Sequence, residues 1–200
     1  MPPAAQHRKT PLRVSVAAAL FAFCTFVGAN AATQSDQAVQ GIRIPYGMSW
    51  GDTTEKVRDM IRGVKGKEVS FLTKSPGKDV LEAEGLGVGD NLLKKTVFTF
   101  RDGALVEIEL EYRDAGWEEE KAVDFFDRTR RNINGRYGVG TLLVNRIKEH
   151  PAGEKDADDK TYTLIVYSWS QPTAVLELDY YSFKEEEKEL RLVSLHYKMP

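Results

Sequence analysis

The chain has 200 residues, 42% of them hydrophobic and 29% charged, with 28 Lys plus Arg against 30 Asp plus Glu and a formal net charge of −2. A chain this close to neutral lacks the concentrated basic patch that nucleic acid or an anionic membrane surface requires of a partner.

Residues 1–31 have the three-part order of a secretory signal. Basic Arg8, Lys9 and Arg13 precede an apolar stretch from Val14 to Gly28 and the small residues Ala29-Asn30-Ala31, with cleavage expected after Ala31. The apolar run is short for a membrane span, which needs about 20 residues. Cys24 follows Phe23, where lipid attachment wants a small residue, and this argues against a lipoprotein. A periplasmic or secreted location is expected, with no membrane span after cleavage. Removing 1–31 takes away three basic residues and no acidic one, leaving 25 against 30, a net charge of −5. It also removes the single cysteine, and with it disulfide stapling, thiol catalysis and Cys-based metal sites. Stability must then come from a hydrophobic core.

Residues 32–41 are polar and aperiodic and read as a flexible lead-in, so the folded part is expected over 42–200. Asp52 with Glu55 three residues later resembles a capping box, and Val57, Met60 and Ile61 repeat at helical spacing before Gly63. Short apolar runs follow at Glu68–Leu72 and Val80–Ala83. Thr96–Tyr112 reads as a hairpin turning at Asp102-Gly103. In its second strand Ala104, Val106, Ile108 and Leu110 should face the core while Glu107, Glu109 and Glu111 face water. A second helix is expected from Trp117 to Asn134, acidic at its start and Arg-rich near its end, burying Ala122, Phe125, Phe126, Thr129 and Ile133 and stopping at Gly135. Four strand candidates complete the chain: Thr141–Arg146, Thr161–Trp169, Thr173–Tyr181 and Leu190–Tyr197. Charged stretches separate them at Pro151–Lys160 and Lys184–Lys188.

The fold class expected is α+β, an antiparallel sheet with two helices packed on one face. The two halves, about 42–114 and 115–200, echo one another. Glu55–Ile61 aligns with Glu120–Phe126 at a shift of 65, and Ala104–Leu110 with Ala174–Tyr180 at a shift of 70. A tandem helix-then-strands repeat and chance similarity between amphipathic elements both account for this.

Gly51-Asp52-Thr53-Thr54-Glu55-Lys56-Val57, followed by Phe98–Leu105, resembles the small exported modules typified by the outer-membrane assembly lipoprotein SmpA/BamE and by β-lactamase inhibitory protein. The resemblance covers about half of the chain beyond residue 31 and implies a non-catalytic, protein-binding role through a sheet or its loops. Cys24 is not placed as the lipidation cysteine of the first, and the chain lacks the disulfide cysteines of the second.

No catalytic constellation stands out. His150 sits in a polar loop and His196 in the last strand, where solvation and sheet packing are the ordinary roles. No Gly-x-Ser-x-Gly elbow occurs. Gly85-Leu-Gly87-Val-Gly89 lacks the helix that a phosphate loop opens, and Gly135–Gly140 is more simply a helix stop. Asp156, Asp158 and Asp159 lack the central Gly and final Glu of an EF-hand. No metal and no cofactor are implied. The one enrichment is aromatic, in the last third of the chain. Tyr167 and Trp169 with Tyr181 are candidate binding residues for another protein or a glycan, and helix packing over them is the competing role. The expectation is an exported, non-enzymatic binding or accessory protein of the cell envelope. The alternative is a hydrolase of cell-wall or extracellular polymers using an unrecognised carboxylate pair.

Overall fold

The computed structural model describes residues 41–87, 92–114, 116–149, 160–185 and 188–200. The expected signal segment 1–31 and nearly all of the expected lead-in, His150, the Pro151–Lys160 stretch up to residue 159, and residues 186–187 of the second charged turn lie outside the described residues.

Among the described residues, after a short 3-10 turn at Pro45–Gly47, the chain forms two α-helices and eight strands in the order α1 (Thr54–Gly63), β1 (Lys67–Ser75), β2 (Lys78–Glu84), β3 (Leu93–Arg101), β4 (Ala104–Tyr112), α2 (Glu119–Tyr137), β5 (Thr141–Glu149), β6 (Lys160–Gln171), β7 (Ala174–Glu185) and β8 (Lys188–Lys198). All strands join one antiparallel sheet in the order β1-β2-β3-β4-β8-β7-β6-β5. Each helix is thus followed by a four-stranded meander, and the meanders meet where their last strands, β4 and β8, pair. This is the α+β antiparallel architecture expected.

Local chemistry sets most element ends. The Asp102-Gly103 turn has φ of 51° and 79°, the left-handed pair of a type I′ hairpin. The first helix begins one residue later than Asp52 suggested. Thr53 is the N-cap, its hydroxyl accepting from Lys56 N at 3.3 Å, while Asp52 accepts from Ser49 N at 2.8 Å and from Lys56 Nζ at 2.7 Å. The second helix runs through Gly135 and ends at Gly138, whose φ of 88° supplies the left-handed stop that Gly135 was expected to give.

Val57 and Ile61 from α1, and Ala122, Phe126 and Ile133 from α2, enter one buried cluster with Leu81, Phe98, Phe100, Leu105, Ile108, Leu110, Leu176, Leu178, Tyr180, Val193 and Leu195. The helix echo at a shift of 65 is matched in burial, with Val57 and Ala122, and Ile61 and Phe126, all buried. The strand echo at a shift of 70 is not matched in order. Ala104 opens the fourth strand after its helix, and Ala174 the third.

One face assignment differs from simple alternation. Between Thr99 and Phe100 the register slips, so that Thr99 faces Glu107 but Phe100 faces Leu105. The extra residue on β4 turns Leu105, rather than Val106, into the core, while Ile108 and Leu110 stay inward. Beyond the slip, strict alternation defines a second, outer face. It carries Glu107, Glu109 and Glu111 of β4, Ser194, His196 and Lys198 of β8, and Glu177 and Asp179 of β7.

Candidate binding face

The seam between β4 and β8, flanked by β7, builds a charged cluster at the centre of the outer face. Glu109 on β4 and Glu177 on β7 lie directly opposite His196, while Glu107 and Asp179 lie diagonally to it. His196 Nδ1 lies 3.1 Å from Oε1 of Glu107. Its Nε2 lies 3.1 Å from Ser194 Oγ and 3.5 Å from carboxylate oxygens of both Glu109 and Asp179. The His196 side chain is only 16% exposed.

Burial alone would depress the His196 pKa. The Glu107 hydrogen bond and the charges of Glu109, Asp179 and Glu107 outweigh it and raise the value above 6.5. A protonated imidazolium donates from both nitrogens, which suits acceptors on both sides. Glu107 is lowered, first by its hydrogen bond to His196 and against its own burial. Glu109 and Asp179 are raised by burial, which His196 opposes and neighbouring carboxylates reinforce. Asp179 Oδ1 is buried without a hydrogen-bond partner. Two lysines close the cluster: Lys198 pairs with Glu177, and Lys95 lies 2.8 Å from Glu111 and 3.5 Å from Glu82. Around His196 six carboxylates therefore gather with Lys95 and Lys198, a local negative surplus, while Lys78 and Arg101 near Glu107 and Arg146 opposite Leu164 lie on the same face outside the cluster. Among the described residues no group of three or more His, Cys, Asp or Glu is arranged to hold a metal ion.

Beside the cluster the same face becomes apolar. Leu164, Tyr181 and Leu192 stand in one cross-strand row, and Tyr162, Phe183 and Leu190 in the next. Leu190 is 40% exposed, and the other five are half-buried.

The three aromatic candidates do not form one patch. Trp169 is buried, its Nε1 donating to Asn134 Oδ1 at 3.1 Å and to Gly138 O at 2.9 Å at the end of α2. Tyr167 packs on Phe126 of α2 with ring centroids 6.2 Å apart, and Arg130 of the same helix lies over its ring and donates to its hydroxyl at 3.2 Å. Tyr181, opposite Leu164 and Leu192, lies on the outer face. Trp50 and Trp117 serve packing near the helix starts. Trp50 Nε1 donates to Thr173 O at 2.8 Å, and Trp117 meets Phe125 at 5.3 Å.

Sequence reasoning missed His196 with Glu107, Glu109, Glu177 and Asp179. The only available signal was the Glu107-Glu109-Glu111 alternation, because the cluster depends on β4 pairing with β8.

Two cavities border the described fold, and the larger reaches the apolar row at Leu190. One of about 1050 Å³ is lined by residues including Leu93, Arg113, Trp117, Glu118, Glu189 and Arg191. Another of about 730 Å³ is lined by residues including Ile42, Ile44, Met48, Trp50, Thr173 and Met199. No helix among the described residues is long and apolar enough to cross a membrane. Comparison of the chain with family models, curated proteins and solved structures finds no match.

Proposed function

We propose that the protein is an exported, non-catalytic binding or accessory protein of the cell envelope, and that its outer sheet face holds a basic partner protein. One observation carries the reading: an acidic cluster centred on His196 adjoins the apolar rows Leu164-Tyr181-Leu192 and Tyr162-Phe183-Leu190 on a single sheet face. Apolar contacts of this kind anchor a partner, and the local surplus of carboxylates around His196 favours a partner that places Lys or Arg there. The resemblance of Gly51–Val57 and Phe98–Leu105 to exported sheet modules supports the same role.

The test is capture from an envelope extract by the unaltered protein, by a Glu109→Lys, Glu177→Lys double variant, and by Asp124→Lys on the exposed side of α2 as control. The expected result is a basic protein retained by the unaltered chain and the control and lost from the double variant, with circular dichroism unchanged. Equal retention by all three, or recovery of a small molecule instead, overturns the reading.

A second reading, polymer hydrolysis, is favoured by one feature. Glu109 and Asp179 approach His196 from opposite strands, and burial raises both. It requires turnover of a glycan that Glu109→Gln and Asp179→Asn each abolish.

A further inference from the structure

We infer that β5 is a docking edge for a second copy of this chain, pairing antiparallel with its own counterpart across a two-fold axis at Asn145. The sheet ends in β1 on one side and β5 on the other, and among the described residues each pairs with one neighbour only. An edge strand leaves a row of main-chain N–H and C=O groups that another strand satisfies, unless bulges or covering groups blunt it.

The two edges differ in this respect. Along β1 the register slips twice within nine residues, between Glu68 and Ser70 and between Thr73 and Ser75. Arg58 of α1 also reaches over it, 4.8 Å above the Phe71 ring and bonded to Glu68. On β5 the single slip lies between Leu142 and Val144, and from Val144 to Glu149 six successive residues keep regular register with β6. That regular stretch contains no proline, the first being Pro151 beyond it, and it carries Ile147 at 66% exposure, with Leu143 at 54% and Leu142 at 46% just ahead of it. A regular, apolar edge that no described residue pairs with calls for a strand as its occupant.

The strand's own sequence argues for a second copy. With the axis at Asn145, Leu143 faces Ile147 of the other chain and Val144 faces Arg146, so an apolar pair forms on each side of the axis and Arg146 meets no like charge there. Moving the axis to Arg146 sets Arg146 against itself, and moving it to Ile147 breaks the Leu143–Ile147 pair. Moving it to Val144 separates Leu143 from Ile147 and brings the register slip to the axis. Two nine-residue strands bury less than the ~1,200–2,000 Å² of a stable interface, so the dimer is concentration-dependent. This inference concerns the sheet edge and is independent of what binds the outer face.

The test uses the full chain with Cys24→Ser, so that one introduced thiol reports alone. Asn145→Cys places two cysteines across the axis at the ~4.5–5.5 Å Cα separation of facing antiparallel residues, within disulfide range. Under mild oxidation it is expected to give a reducible dimer, while Leu72→Cys on β1 stays monomeric. Sedimentation of the unmodified chain should show a dimer that Ile147→Lys, or Leu143→Lys if the first variant misfolds, weakens at least about tenfold, consistent with loss of an apolar cross-strand pair at both symmetric contacts. A monomer at every concentration, or cross-linking from Leu72→Cys equal to that from Asn145→Cys, overturns the inference.

Discussion

His196 on the last strand bonds Glu107 on β4 at 3.1 Å, joining residues 89 positions apart at the seam where the two meanders meet. The contact couples the charge of the outer face to the pairing of the two halves, and it has a pH dependence of definite sign.

The folded-state pKa of His196 lies above 6.5, so its stabilising contribution is complete below about pH 6.5 and is lost as pH rises through the folded value. Glu107 is lowered from 4.5, so its contribution is present above that value and is lost as pH falls through the folded value. The pair is therefore strongest between these limits. His196→Gln should cost about 1.5–3 kcal/mol at pH 6, the worth of a hydrogen bond to a charged group, and progressively less toward pH 9. Urea unfolding at both pH values measures this. An imidazole NMR titration at or below 6.5 would contradict it.

Glu109 has the opposite sign. Burial raises its pKa, so ionising it opposes folding above pH 4.5 and most fully above its folded value. Glu109→Gln should raise the melting temperature at pH 8 by the equivalent of about 1 kcal/mol or less, with a smaller effect near pH 4. Scanning calorimetry at the two pH values tests this, and destabilisation at pH 8 would count against it.

Trp169 is part of the interior. Trp169→Ala should cost about 3–5 kcal/mol, as for other buried aromatic residues. Gly140 is needed beside it, because a Cβ there would lie 2.4 Å from Trp169 Cε2. Gly140→Ala should therefore displace the indole from Asn134 and destabilise the fold by about 1–3 kcal/mol. Denaturant midpoints measure both. Loss of partner capture in a Trp169 variant that remains as stable as the unaltered chain would return Trp169 to the binding surface.

How much of this was legible in the sequence depends on the range of each interaction. The Asp102-Gly103 hairpin and the apolar stripe of α2 are written within a few residues, and both were read from the sequence. The N-cap at Thr53 and the stop at Gly138 each differ from the sequence reading, because several suitable residues stand together there and only backbone geometry chooses between them. The inward turn of Leu105 depends on a register slip that alternation cannot show. For Trp169 and Tyr181, period-two patterning separates the faces of one strand but does not say which face meets a helix. The His196 cluster needed the order β4-β8-β7, a pairing between chain segments that share no local signal.

A photo-activated cross-linker placed at Tyr181 and, separately, at Val123 on the exposed side of α2 reports whether the outer face binds the partner. After irradiation in an envelope extract, Tyr181 is expected to capture a basic protein and Val123 none. Capture from Val123 with none from Tyr181 would rule out the outer face as the binding surface.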